Sequence, residues 1–100
     1  MAVQVRVTSA ASQDLVQAHD WYELQSSGLG KEFVRTVDAV LAFIERNPTL
    51  FSPAYRDLRR VLTKRFPYAV YYQCPDAQTA RVIAVLHTAM DKARLHPRLD

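Results

Sequence analysis

The sequence predicts an α+β fold in the order β-α-α-β-β-β, with a helical hairpin packed on a small antiparallel-rich sheet. Three observations carry this. Residues 3–7 alternate valine with polar side chains. Residues 11–44 place apolar side chains at helical spacing. Residues 59–87 turn to aromatic and β-branched runs. One hundred residues, 49% hydrophobic and 23% charged, suit a single domain over 1–100 and exclude a disordered chain.

The first strand is Val3, Val5 and Val7 alternating with Gln4, Arg6 and Thr8. Thr8, Ser9 and Ser12 then offer caps for a helix. Its stripe is Ala11, Leu15, Ala18 and Tyr22, flanked by Trp21, with Asp14, Gln17 and Asp20 expected to face away. The helix is expected to stop at Ser26-Ser27-Gly28, where glycine accepts a left-handed conformation. Gly30 is expected to allow a tight turn into a second helix with the stripe Phe33, Val37, Val40, Leu41 and Ile44. Asn47-Pro48 ends it, because the residue before proline is pushed out of the helical region.

Arg59 to Phe66 reads as a basic strand, broken at Phe66-Pro67. Tyr68 to Gln73 is a strand by composition, and Pro75 to Gln78 has the chemistry of a hairpin turn. Arg81 to His87 is a near-continuous apolar run, expected as a central strand buried on both faces. The tail, Thr88 to Asp100, is polar and basic. It is expected to be mobile, with few apolar side chains for the core, and Pro97 argues against a long final helix.

Several functions are excluded early. No apolar run approaches the roughly 18 residues of a membrane span. The N-terminus lacks the basic start and apolar block of a secretory signal, and a lone Cys74 cannot form an internal disulfide. Both fit a cytoplasmic protein. His19, His87, His96 and Cys74 lack the close spacing of a zinc site, so no metal or cofactor is expected. Cys74 sits beside a proline with no evident helix N-terminus or fixed histidine to activate it. With glycine only at 28 and 30, no phosphate-cradling loop exists.

Charge is divided unevenly: residues 1–50 carry a net −2 and residues 51–100 a net +5. A basic half suggests an anionic partner, nucleic acid or an acidic protein segment; a solvated basic face is the alternative. Arg59, Arg60, Lys64 and Arg65 lie in the expected basic strand. Arg81 and His87 bound the last strand, and Tyr68, Tyr71 and Tyr72 fall between. Either the rings stack on RNA bases while the cations hold phosphate, or the tyrosines are core and the arginines cover the sheet.

The chain also resembles the ParE branch of the RelE/ParE toxin superfamily of bacterial type II toxin–antitoxin systems. The resemblance covers nearly the whole chain. It rests on Ala11-x-x-Asp14-Leu15-x-x-Ala18-x-x-Trp21-Tyr22, Gly28-Leu29-Gly30-x-x-Phe33 and Ile44-x-x-Asn47-Pro48. It continues through Arg59-Arg60, Arg65-Phe66-Pro67-Tyr68-x-Val70-Tyr71-Tyr72 and Val82-Ile83-Ala84-Val85-Leu86-His87. It implies the same fold and a cognate antitoxin that wraps the toxin, with operator DNA reached only through that antitoxin.

RelE-like members cut messenger RNA on the ribosome with basic side chains and a C-terminal tyrosine. ParE-like members poison DNA gyrase. After the last strand, close relatives read histidine, two residues, arginine, aspartate, proline. Here Met90 replaces the arginine and Lys92 the proline, and the nuclease tyrosine falls near His96. Histidine can do acid–base work near neutral pH. Methionine cannot offset charge on a phosphorane, a contribution worth roughly 3–4 kcal/mol per donor. The resemblance therefore implies a non-enzymatic gyrase inhibitor, with a ribosome-dependent nuclease or an attenuated antitoxin-binding module as alternatives. The expected contact residues for target or antitoxin are Arg59, Arg60, Lys64, Arg65, Arg81, His87, Lys92, Arg94, His96 and Arg98.

Overall fold

The computed structural model describes residues 2–90 and 92–99; Asp91 and Asp100 of the expected tail lie outside the described residues. The order is β1 (Gln4–Val7), α1 (Ser9–Gln25), α2 (Leu29–Arg46), β2 (Pro53–Tyr55), β3 (Leu58–Leu62), β4 (Tyr68–Asp76) and β5 (Thr79–His87). A 3₁₀ segment, Lys92–Leu99, follows. The five strands form one sheet, β1-β5-β4-β3-β2, in which β1 runs parallel to β5 and the other pairs are antiparallel. The helical hairpin on an antiparallel-rich sheet is as expected.

The strand β2 was not expected. It is three residues long, lacks alternation and starts with proline, which an edge strand tolerates because one side needs no donor. The basic strand is shorter than its sequence suggests. It ends at Leu62, and Thr63 to Pro67 form the connection to β4. The Thr63 hydroxyl donates to the Phe66 carbonyl at 2.9 Å, and Arg65 takes a left-handed φ of 72°. Lys64 and Arg65 therefore stand at a hairpin tip, not on a strand. The β4–β5 turn is also tighter than expected, because β4 continues through Pro75 to Asp76.

Thr8 caps α1, its hydroxyl accepting from the Ala11 N–H at 3.2 Å. Gly28 is left-handed, φ 88°, as expected, but it is not the C-cap of α1, which is Ser26; it is the N-cap of α2, without a side chain to offer. Glu23 of α1 supplies the missing acceptor. Its carboxylate accepts from the N–H groups of Gly28, Gly30 and Lys31 at 3.1, 2.8 and 3.4 Å. Gly30 is not a turn residue. It lies inside α2, where an added Cβ would sit 2.6 Å from the His19 carbonyl oxygen, so glycine is what lets α1 and α2 approach.

The sheet is covered on both faces. On the helix face, Ala11, Ala18 and Tyr22 of α1 and Phe33, Val37 and Ile44 of α2 pack on Val61, Val70, Tyr72, Val82 and Val85. Tyr22, Phe33, Phe66 and Tyr68 form an aromatic cluster with ring centroids 4.9–6.0 Å apart. On the other face, Leu58, Ala69, Tyr71, Ile83, Ala84 and Leu86 are closed over by the fully buried Leu95. This explains why β5 is apolar on both sides. It also corrects the reading of the tail: residues 92–99 are docked on the sheet.

Candidate functional site

The expected cationic surface divides into groups that do different things. Arg59 and Arg60 stand opposite Tyr72 and Tyr71 on β4, so they point to opposite faces. Arg59 donates to the carbonyls of Phe51 and Thr49, and the Tyr72 hydroxyl donates to the Pro48 carbonyl at 2.7 Å. Both hold the α2–β2 loop. Arg65 is exposed, 3.5 Å from the Glu32 carboxylate and over the Phe66 ring. Arg81 is exposed on β5 beside Arg6 of β1. Tyr71 and Tyr72 are buried, and their rings are closed to a stacking base.

Arg98 is paired with a residue the sequence places on the wrong side. Asp14 does not face away from the core. Its carboxylate accepts from both terminal nitrogens of Arg98, at 2.6 and 3.0 Å, and from the Val85 N–H at 3.0 Å. Arg98 also donates to the Ile83 carbonyl at 3.2 Å. The pairing of β1 ends at Val82, so this side-chain pair completes the uncovered edge of β5. The hydrogen bond to Asp14 raises the Arg98 pKa above its ordinary value, against the effect of burial.

Among the described residues, apolar clefts lie open beside each of the two helices. The first lies between α2 and the outer edge of β3 and measures about 860 Å³. Ala39, Val40, Phe43 and Phe51 line it beside Val61 and Leu62, with Arg60 and Lys64 as its cations. Phe43 and Leu62 are 39% and 56% exposed, large apolar side chains without cover. The Arg60 Nε is shut off from solvent and has no hydrogen-bond acceptor among the described residues. Phe43 and Leu62 lie off the apolar stripes of their elements, which is the one sequence signal that marks this cleft.

The second cleft lies between α1 and the ends of β4 and β5, as two adjoining hollows of about 200 and 500 Å³. Trp21, Tyr68 and Met90 line both, His87 and Pro67 one, and Asp14 the other. Trp21 is 56% exposed and Met90 40%. The His87 ring lies 5.4 Å from that of Tyr68, and its Nδ1 accepts from the Ala89 N–H at 3.0 Å. Burial, helped by the charges of Tyr22 and Asp14, pushes the Tyr68 phenol above its ordinary pKa, which holds it in the protonated form and makes it a poor proton donor. Lys92, Arg94 and His96 are exposed on the 3₁₀ segment. Among the described residues no three His, Cys, Asp or Glu side chains group as a metal site, and no helix is long and apolar enough to cross a membrane.

The fold has a known counterpart. A chain from the chromosomal ParDE TA system of P. aeruginosa superposes with a TM-score of 0.74 at 12% identity, over 86% of this chain and 96% of that one. Among curated proteins, no sequence matches. The family profile described as "ParE toxin of type II toxin-antitoxin system, parDE" matches residues 5–92. With that match spanning nearly all of both helices and every strand, the chain belongs to the ParE toxin family of type II toxin–antitoxin systems.

Proposed function

We propose that this toxin acts in the cytoplasm as one domain, inhibiting DNA gyrase by docking on it, without chemistry of its own. The observation that carries the reading is the surrounding of Met90. At the position where message-cutting relatives place an arginine, this chain has an apolar side chain in a cleft with Trp21, Tyr68 and His87. Such a cleft suits an inserted side chain of a partner protein, since aromatic anchors dominate protein interfaces. It offers no cation at Met90 for a developing phosphorane charge. The exposed Lys92, Arg94 and His96 extend the docking surface.

The toxin's partner is its cognate antitoxin. The α2–β3 cleft, apolar within and cationic at Arg60 and Lys64, suits an acidic segment that orders on binding. Operator DNA is then reached only through the antitoxin.

The test uses the purified chain. Gyrase supercoiling should fall and cleavage complexes should accumulate, while messenger RNA on translating ribosomes stays intact. Codon-dependent cleavage by the wild-type chain would replace this reading with the nuclease. Silence in both assays, with antitoxin binding retained, would make the chain an attenuated binding module.

A further inference from the structure

The cleft between α1 and the ends of β4 and β5 is walled by rings. Trp21, Tyr22, Tyr68 and His87 run along its larger hollow, and Pro67, Ala89 and Met90 complete the lining. Centroids are 5.1 Å apart from Trp21 to Tyr22, 6.0 Å from Tyr22 to Tyr68 and 5.4 Å from Tyr68 to His87. Each pair meets at a steep angle, 83°, 61° and 73° in turn, so the hollow is bounded by rings from more than one direction. Trp21 is more than half exposed, which leaves the cleft open to solvent.

The charge around this cleft is opposite in sign to that of the α2–β3 cleft, which Arg60 and Lys64 line. Among the described residues no lysine or arginine lines either of its hollows. Asp14 does, with its charge answered by Arg98. Beyond the hollows, α1 carries Asp20 and Glu23 and has no lysine or arginine from Ser9 to Gln25. Lys92 and Arg94 stand outside the hollows, exposed on the 3₁₀ segment, where salt screens them. Gln17 lines the smaller hollow and brings an amide acceptor. The cation–π contacts among the described residues, Arg56 over Tyr55 and Arg65 over Phe66, use other rings.

We infer that this cleft takes an arginine side chain of the docked partner, its guanidinium held against Trp21 and Tyr68. This deepens the docking reading of the cleft and rests on it. A ring attracts a cation within about 6 Å of its centroid, and Trp most strongly. An apolar side chain would fill the hollow without using the ring faces, the Gln17 amide or the carboxylates of α1. Arginine suits the site better than lysine, because its planar, weakly hydrated group stacks on rings, whereas an ammonium is a strongly hydrated point charge.

The experiment exploits Trp21 as the single tryptophan of the chain. Capped Gly-Arg-Gly, Gly-Lys-Gly and Gly-norleucine-Gly peptides are titrated into the full chain while Trp21 emission is followed. The arginine peptide should bind about threefold or more tighter than the norleucine peptide, with lysine between. In gyrase supercoiling, Trp21→Leu, which keeps apolar bulk and loses the ring, should raise the concentration for half-inhibition about tenfold or more. Trp21→Phe, which keeps a ring, should lose less. Leu24→Ala, 85% exposed on the same helix and outside the hollows, should stay within about twofold. A norleucine or lysine peptide that binds as tightly as the arginine one, an arginine peptide that leaves Trp21 emission unchanged, or a Trp21→Leu variant as potent as the wild type overturns this inference and leaves gyrase docking standing. An arginine peptide that binds as expected to a chain without effect on gyrase overturns the gyrase reading and leaves the preference of the cleft standing.

Discussion

At the scale of single residues, several side chains act through groups far from them in sequence. Glu23 is the clearest case, because a carboxylate on one helix caps the next. The Gly28 N–H contributes most to lowering its pKa below the usual 4.5, with Gly30, Lys31 and His19 adding to this against some desolvation. A depressed folded-state pKa contributes stability that is present above about pH 4.5 and is lost as pH falls through the lower folded value. Glu23→Gln should therefore be less stable than the wild type near about pH 7, and the difference should shrink toward about pH 3. Urea midpoints across that range measure it, and a difference that does not change with pH would remove the charge from the explanation. Nothing local marks Glu23 as a cap, since the N–H groups that donate to it lie five to eight residues ahead.

At the scale of elements, the C-terminal segment is the one most altered by folding. Its composition reads as a polar tail. One leucine and one arginine decide otherwise. Leu95 is fully buried against Leu58, Ile83 and Leu86, and Arg98 is held by Asp14. Leu95→Ala should cost about 2–5 kcal/mol, a loss of roughly 10 °C or more in Tm for a chain of this size. Arg94→Ala, at an exposed position of the same segment, should stay within about 0.5 kcal/mol. Thermal unfolding of the two variants checks both. Deleting residues 91–100 is consequently a poor test of target binding, because it uncovers a core; single changes at Lys92, Arg94 or His96 are the cleaner probes. The helices were legible for the opposite reason. Their stripes and stop signals lie within the sequence window that forms them, as at Asn47-Pro48.

At the scale of the whole molecule, the two clefts flank different helices. The α2–β3 cleft and the Trp21–Met90 cleft share no lining residue. The proposed division of labour, antitoxin on one and gyrase on the other, therefore predicts separable effects. Trp21→Ala removes an exposed anchor and should raise the concentration for half-inhibition of supercoiling about tenfold or more. Its antitoxin Kd should remain within about twofold of the wild type. Titration of both activities on the same preparation decides the point. Parallel loss of both would place target and antitoxin on one surface.

The sequence by itself determined the order of the main elements and the family, because hydrophobic period, helix stops and ordered motifs are local properties. Ala11, Ala18, Phe33, Val37 and Ile44 face the core where their spacing puts them. It also carried the charge division between the two halves, since that is arithmetic. Tertiary structure decided which charges remain available. Arg59 is committed to the α2–β2 loop and Arg98 to Asp14, 84 positions away in the chain. It decided that Tyr71 and Tyr72 are core and that the buried Arg60 Nε has no acceptor among the described residues. The physical reason is that a hydrogen bond or ion pair across the sheet depends on which strands become neighbours. Periodicity reports the face a residue turns to its own core, and it does not report what arrives there from the far end of the chain.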